Sequence, residues 1–345
     1  MPADLAEARE LLASRGLKRI SLAAEYRDDV APADGAQLAW DGRTDDGEDL
    51  PSPLLVYQAL FDVVASAHGD ALQDHVLDLD GTRAASEYLL RIARSSFTDI
   101  AQLVNYPDHD TYTVGHSVRV ATLAVRVGDQ LRLPPDRLLA LSSAALLHDV
   151  GKSKIPEEIL YKPSRLDRKE IEIIRAHTEI GAEILLEQKG ASPLDLAAAY
   201  GHHLRHDGGG YPERPAWVVR HPLIALLQIC DVFEALTAVR PYKSALTPRA
   251  AFEIMVGDKG AFDPPLLRAF IRAVGLYPPG NRVRLSDGRQ GIVVASGLRL
   301  DAPRVRVTHD AAGRHVPDTE QPTIDLYRSG STVVKLLHDP EPARV

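Results

Sequence analysis

The sequence has little cysteine, no basic segment at its N-terminus and no long apolar run. Cys230 is the single cysteine among 345 residues, which excludes an internal disulfide framework and fits a reducing compartment. The first residues carry neither the basic nor the apolar region of a secretory signal peptide, and no apolar stretch approaches the length that spans a bilayer. We therefore predict a cytoplasmic protein with no membrane contact.

An excess of positive charge is also missing. The formal net charge is -8, whereas nonspecific binding to a nucleic acid polymer needs a basic field. The sequence therefore argues against DNA or RNA as a general partner. A small anionic ligand stays compatible with it, because a metal ion and nearby Lys or Arg residues override the overall sign locally.

Residues 1–80 differ in composition from the remainder of the chain. An acidic stretch rich in Gly and Ala runs from Asp28 to Asp49 and has little to bury, which predicts a solvated linker. Ser52 followed by Pro53 is an N-cap with proline at the first helical position, so we expect a helix from there to about Ser66. We predict that residues 1–80 form a variable, partly flexible N-terminal region.

The remaining chain divides into a helical and a β-rich region. Residues 81–278 show helical periodicity almost throughout, and N-cap residues mark helix starts at Asp167, Ser192 and Thr247. Residues 279–345 instead alternate apolar and polar side chains around an Asp287-Gly288 hairpin signal. The predicted fold class is mostly α, an all-helical domain with a small C-terminal antiparallel β appendage.

Two clusters of His and Asp are the most informative feature of the chain. The segment from His148 to Lys152 reads His-Asp-Val-Gly-Lys, and the second cluster begins with His202-His203 and ends with Gly-Tyr-Pro at Pro212. Isolated residues of the same types lie on apolar helical stripes, such as His177, which by helical spacing shares a face with Ile173 and Ile184. Imidazole nitrogens and carboxylate oxygens are the ligands that divalent transition metals prefer.

Each of these residues taken alone has a structural alternative. A single inward histidine is more often a hydrogen-bonded core residue than a metal ligand. Asp231 is harder to explain in this way, because an ionised carboxylate inside the apolar run from Leu223 to Leu236 is costly without a cation beside it. A metal cluster satisfies all the candidates together, and seven ligands suit two ions that share a bridge. The candidates are His116, His148, Asp149, His177, His202, His203 and Asp231.

In order and spacing, these motifs resemble the HD-GYP family, which is related to the broader HD phosphohydrolases. The likeness covers roughly the last three quarters of the chain and extends through the segments 110–117, 155–160, 177–181 and 231–237. It implies an all-helical HD domain in which one ion is held by His116, His148, Asp149 and Asp231. It implies a second ion, bridged to the first by Asp149, on Asp149, His177, His202 and His203. The mixed imidazole and carboxylate set favours Fe or Mn, and the lack of thiolates disfavours a structural zinc site.

The resemblance further implies a metal-dependent phosphodiesterase that hydrolyses cyclic di-GMP to linear pGpG, with GMP as a further product. A metal-bridging hydroxide would attack the phosphorus, with His148, Asp149 and Lys152 as the catalytic residues. Lys152 would act as a point charge on the bound phosphate. The other implied substrate contacts are Asp110, Gly210, Tyr211, Pro212, Arg240 and Lys243.

Several positions depart from the family pattern. Leu204 stands where the family usually has glutamate, Glu234 where it usually has aspartate, and Lys243 where it more often has arginine. Tyr112 stands where some members place an acidic ligand to a third ion, so we expect two ions. None of these changes removes one of the seven candidate ligands.

Two other functions stay compatible with the sequence. One is a non-catalytic receptor that binds cyclic di-GMP and signals through partners, which Leu204 alone favours. The other is a phosphohydrolase of a different nucleotide, including a related cyclic dinucleotide. The expected partners are cyclic di-GMP itself and a signalling protein such as a diguanylate cyclase, and the sequence leaves the oligomeric state open.

Overall fold

The computed structural model describes residues 53–95, 112–213, 220–238 and 246–337, and helices form most of it. The first helices are α1 (Pro53–Leu72), α2 (Leu79–Ser95), α3 (Tyr112–Gln130) and α4 (Pro135–Leu147). A 3-10 turn (Val150–Lys154) then leads to α5 (Glu157–Leu160), α6 (Arg168–Arg175), α7 (His177–Glu187) and α8 (Pro193–Gly201). The helical part ends with α9 (Pro222–Thr237), α10 (Pro248–Gly257) and α11 (Pro264–Val274). The acidic stretch 28–49 lies outside the described residues.

The helix starts that the sequence predicts are present. Asp167 and Glu170 form a reciprocal capping box at α6, and Ser192 forms another with Asp195 at α8. The Thr247 hydroxyl accepts from the third backbone N–H of α10, which begins with proline. These caps satisfy N–H groups that the first helical turn leaves without partners.

Helix α1 shares one apolar core with the central helices. Val56, Leu60 and Val64 are buried in the same cluster as Val118 of α3 and Leu226 of α9. The helix runs to Leu72, beyond the predicted end near residue 66, because Ala67 and Ala71 continue its buried face against the turn at Val150. The division of the chain at residue 80 stays a prediction.

The prediction that Ile173 and His177 share a buried face is wrong. Helix α6 ends at Arg175 and α7 begins at His177, with Ala176 as the cap of both. Ile173 is 39% exposed, whereas His177 is fully buried. His177 and Ile173 therefore belong to different helices, and spacing counted across the junction does not place their side chains on one face.

The C-terminal β appendage is confirmed as one five-stranded antiparallel sheet with strand order β4-β3-β2-β1-β5. Its strands are β1 (Arg282–Leu285), β2 (Gln290–Arg299), β3 (Ala302–His309), β4 (Thr323–Asp325) and β5 (Val333–Leu337), with the short helix α12 (Leu326–Ser329) before β5. Gly288, at φ 89°, turns the predicted hairpin between β1 and β2. The Ser296 hydroxyl donates to the Ala273 carbonyl at 2.7 Å and ties the sheet to α11. Within the described ranges, no helix is both long and apolar enough to cross a bilayer.

His221 caps α9 and makes its stability depend on pH. Its Nδ1 accepts from the Leu223 N–H at 3.1 Å, and burial lowers its pKa to about 4. Because the unfolded chain binds this proton at higher pH, the cap contributes fully above about pH 6.5 and is lost as the pH falls toward 4. His221→Asn keeps a capping oxygen without a titrating group, so we expect it to lose on the order of 1 kcal/mol less stability than wild type on acidification.

Chemical unfolding near neutral pH and near pH 5 measures this difference. The matched control is His315→Asn, because the His315 side chain is 59% exposed and lies away from α9 in the C-terminal part of the chain. The His315→Asn variant should lose as much stability between the two pH values as wild type does. A His221→Asn variant as acid-sensitive as wild type would contradict the assignment.

Candidate metal centre

The seven candidate ligands meet where the ends of several helices converge. His148 caps the C-terminus of α4, His177 is the first residue of α7, and His202 caps the C-terminus of α8. His116 lies near the start of α3, and Asp231 lies within α9. All except His203 are buried, each with at most 5% of its surface exposed. Residues far apart in sequence therefore share one enclosed site.

Asp149 lies at the centre of this site. Its Oδ1 is 3.4 Å from His177 Nε2 and 3.6 Å from His202 Nε2. Its Oδ2 is 3.4 Å from His148 Nε2 and 3.6 Å from His116 Nε2. The two oxygens thus face two different pairs of imidazoles, which is the placement that a carboxylate shared by two ions needs.

Asp231 and His203 complete the cluster. One oxygen of Asp231 is 3.0 Å from His116 Nε2, and the other is 3.7 Å from His203 Nδ1. Three sets of ligand atoms have all their members within 4.8 Å of one another. These sets are His116 with His148 and Asp231, His148 with Asp149 and His202, and His177 with His202 and His203. The structure thus brings all seven candidates together, while their assignment to particular ions stays a prediction.

Backbone carbonyls orient three of the imidazoles. The Nδ1 atoms of His148, His177 and His202 lie 2.7, 2.6 and 2.8 Å from carbonyl oxygens of the preceding turn, those of Ala145, Ile174 and Ala198. Because a carbonyl oxygen only accepts, each Nδ1 carries the proton and donates it. Each Nε2 lone pair is therefore left facing Asp149, the orientation that a metal ligand needs.

The protonation states of three of the candidate ligands also suit a metal. Burial lowers the pKa of both His177 and His202 to about 4, so these imidazoles are neutral near pH 7. Burial opposes ionisation of Asp149, but the neighbouring Lys152 and imidazoles outweigh it and hold the pKa of that carboxyl well below its usual range. Metal binding requires neutral imidazoles and ionised carboxylates.

Two buried atoms in the described part of the site make no hydrogen bond, namely His148 Nε2 and Asp149 Oδ1. Buried polar atoms without a partner are costly, and both lie among ligand atoms of their own kind. Bound metal ions would satisfy them. The residues present therefore fit the expected metals by ligand type and orientation.

Glu234 and Arg119 support His116 from behind. The Glu234 carboxylate accepts from His116 Nδ1 through one oxygen and from Arg119 Nε through the other. Glu234 is only 2% exposed. Although burial lowers the pKa of His116, the charges of Glu234 and Asp231 outweigh it and raise the pKa to about 9. The sequence identified Glu234 only as a departure from the family pattern. It did not identify Arg119, although the spacing of three residues between His116 and Arg119 on one helix was an available signal.

The substrate side of the site is partly described. Lys152 Nζ donates to Asp149 Oδ2 at 2.5 Å, so its charge lies at the centre of the cluster. Gly210 has φ 87°, and a Cβ there would overlap the His203 carbonyl, so the loop needs glycine for close approach. The Tyr211 ring lies 4.5 Å from the His203 ring, and Pro212 is buried. Asp110, Arg240 and Lys243 lie outside the described residues, so their predicted substrate contacts stay predictions.

Gly151 allows the turn that carries Lys152 to pack against α7. A Cβ at position 151 would overlap the His177 carbonyl oxygen and approach the Gly181 backbone at 2.5 Å. We expect Gly151→Ala to cost about 2–3 kcal/mol and to displace the turn, because backbone on the other side cannot yield. Thermal unfolding measures the loss. Gly69→Ala is the control, since nothing lies within 4 Å of a Cβ there and alanine favours the helix interior; equal stability of the two variants would contradict the prediction.

Comparisons with known proteins agree with this geometry. Residues 103–266 match the family model described as HD domain. The chain is 36% identical over 289 residues to the cyclic di-GMP phosphodiesterase PA4108 of Pseudomonas aeruginosa. The alignment covers 83% of this chain and 69% of that protein. The chain is also 35% identical over 170 residues to the 3′3′-cGAMP-specific phosphodiesterase 3 of Vibrio cholerae. That alignment covers 48% of this chain but only 36% of that protein.

A solved structure shares the fold. Bd1817, an HDG"Y"P protein from Bdellovibrio bacteriovorus, superposes with a TM-score of 0.52 and 14% identity, over 66% of this chain and 73% of that one. The helical fold and the histidine–aspartate cluster define an HD-domain phosphohydrolase. More particularly, the chain belongs to the HD-GYP family, as the resemblance of its motifs predicted.

Proposed function

We propose that the protein is a metal-dependent phosphodiesterase that opens cyclic di-GMP to linear pGpG, with GMP as a further product. The observation that carries the proposal is the complete set of seven candidate ligands centred on Asp149, with Lys152 beside it. The name of the Pseudomonas relative, which aligns over most of this chain, supports cyclic di-GMP as substrate. The binuclear centre of Fe or Mn is part of the proposal.

Bound divalent ions would supply an activated water, as hydroxide, and neutralise negative charge on the departing oxygen. The chain's own residues do the remainder. Asp149 and the six other candidate ligands would hold the ions, and the Lys152 ammonium attracts a nonbridging phosphate oxygen. The bond between phosphorus and the 3′ oxygen breaks as a bond between phosphorus and the water oxygen forms. The proton that the water releases is transferred to the 3′ oxygen, which leaves as a hydroxyl group.

A second candidate substrate is 3′3′-cGAMP. The relative from Vibrio cholerae that carries this name is 35% identical to the chain, about as close as the cyclic di-GMP relative over its own shorter alignment. Both dinucleotides present the same phosphodiester to the metal centre and differ in one base. The metal ligands therefore do not distinguish them, and the choice depends on residues that contact the bases.

The test is anaerobic incubation of the purified protein with Mn²⁺ or Fe²⁺ and each cyclic dinucleotide in turn, with the products separated by chromatography. We expect pGpG or GMP from cyclic di-GMP, and no product from a His148→Ala/Asp149→Ala variant that keeps its helical content. Product from 3′3′-cGAMP but not from cyclic di-GMP would identify 3′3′-cGAMP as the substrate instead. Binding of cyclic di-GMP without product in metal-loaded protein would support the receptor instead.

A further inference from the structure

We propose that Arg175 and Tyr211 form a base-binding platform at the rim of the metal centre, and that the Arg175 guanidinium binds a guanine of the substrate through its N–H edge. The proposal deepens the proposed function and rests on it for the identity of the substrate. The site prediction from sequence included Tyr211 but not Arg175. The platform would recognise the nucleobase, whereas the metal ligands and Lys152 recognise only the phosphodiester.

The geometry places Arg175 against the signature loop. Arg175 is the last residue of α6, two positions before His177. Its guanidinium carbon lies 5.0 Å from the centroid of the Tyr211 ring, within the range of a cation–π contact. That ring lies in turn 4.5 Å from the ring of His203 and 6.2 Å from that of His177. Tyr211 therefore links the guanidinium directly to two metal-ligand candidates.

Arg175 has no acidic partner among the described residues, unlike Arg168 and Arg205. Among the described residues, its exposed guanidinium forms no ion pair. Arg168, in the same helix, pairs with Glu172, and Arg205 binds both Asp207 and Asp258. A guanidinium that contacts a ring and pairs with no carboxylate in the described part of the chain is available for a ligand.

A planar guanidinium held in this way suits guanine. A guanidinium that stacks on a ring through its face keeps its N–H edge free for hydrogen bonds. Two parallel N–H groups match the O6 and N7 acceptors of guanine, whereas adenine offers an acceptor and a donor at the same edge. Contact with Tyr211 also limits the rotamers of Arg175 before binding, which lowers the entropy cost of ordering it. The Tyr211 ring adds apolar surface for a base.

Two other roles for Arg175 make different predictions. As a structural clamp, its positive charge would favour the C-terminus of α6 and hold the loop through Tyr211. As a point charge, it would attract a phosphate without reading the base, a task that lysine performs equally well. The tests below separate the three roles.

The experiment compares Arg175→Ala, Arg175→Lys and the control Arg168→Ala, which removes the same charge from the same helix. With cyclic di-GMP, we expect Arg175→Ala to raise KM roughly tenfold and to leave kcat, metal content and Tm close to wild type. Arg175→Lys should recover little, because lysine lacks the planar pair of donors. Arg168→Ala should match wild type.

Binding of mononucleotides tests the platform without turnover. We expect the dissociation constant of GMP for metal-loaded protein to rise roughly tenfold in Arg175→Ala, and that of ribose 5-phosphate, which lacks the base, to stay unchanged. Recovery in Arg175→Lys, or equal weakening of both ligands, would overturn base recognition in favour of a point charge. A lower Tm with unchanged KM and GMP binding would overturn it in favour of a clamp. If wild type hydrolyses no cyclic dinucleotide, the proposed function fails, but mononucleotide binding still tests the platform. Weaker binding of GMP but not of ribose 5-phosphate in Arg175→Ala supports the platform, and any other result overturns it.

Discussion

Asp149→Asn is expected to remove bound metal and to lower phosphodiesterase turnover by at least about a thousandfold, because the residue belongs to a set that acts as a unit. The two oxygens of Asp149 face different pairs of imidazoles, His177 with His202 and His148 with His116. Asparagine has nearly the same shape but only one oxygen, and its NH2 group offers no lone pair to a metal. It also carries no negative charge to offset bound cations.

Elemental analysis of protein purified without oxygen, together with turnover of cyclic di-GMP, measures both effects. Asp195→Asn is a matched control, because Asp195 is also a buried carboxylate but lies in the capping box at the start of α8. That variant should lose some stability and keep its metal and turnover. Wild-type metal content in the Asp149→Asn protein would refute the central role of this carboxylate.

The fold class follows from sequence because its signals are local. Caps at Asp167, Ser192 and Thr247 and the hairpin at Asp287-Gly288 each involve residues within a few positions of one another. The same holds for the ligand motifs, in which neighbouring residues such as His148 and Asp149 lie together in the site. The error at Ile173 has the same origin, since a local count of spacing does not detect that one helix ends at Arg175 and another begins at His177.

Supporting contacts were harder to predict because they join distant parts of the chain. His116 and Glu234 are 118 positions apart, and no periodicity within α3 or α9 connects them. Arg175, the last residue of α6, contacts Tyr211 of the glycine loop, 36 positions further along the chain. The position of Asp149 between two pairs of imidazoles likewise depends on several helices converging at once. Sequence motifs identify ligand types, whereas tertiary packing decides which atoms face each other.

Glu234→Ala is expected to weaken metal binding about 100-fold, the upper end for loss of a carboxylate that orients a ligating histidine. Glu234 accepts from His116 Nδ1, which leaves His116 Nε2 facing Asp231 at 3.0 Å. Removing it frees the imidazole to rotate and leaves the Arg119 guanidinium, of which only 16% of the side chain is exposed, without its carboxylate. Glu234→Gln keeps an acceptor for His116 but not the charge, so we expect an intermediate loss, on the order of tenfold.

Titration of metal-free protein with Mn²⁺ against a competing chelator measures the affinity, and thermal unfolding of the same metal-free samples measures any structural damage. Glu183→Ala is the control, because Glu183 is a partly buried carboxyl of α7 whose pKa burial raises and which contacts none of the candidate ligands. If Glu234 only supported the fold, its variants would unfold at lower temperature but bind Mn²⁺ as wild type does.

Glu234→Asp separates these roles further. The shorter arm cannot hold His116 and Arg119 together without a backbone shift, so we expect its metal affinity to fall between those of wild type and Glu234→Ala. Wild-type affinity in the aspartate variant would show that the longer side chain has no influence on the site.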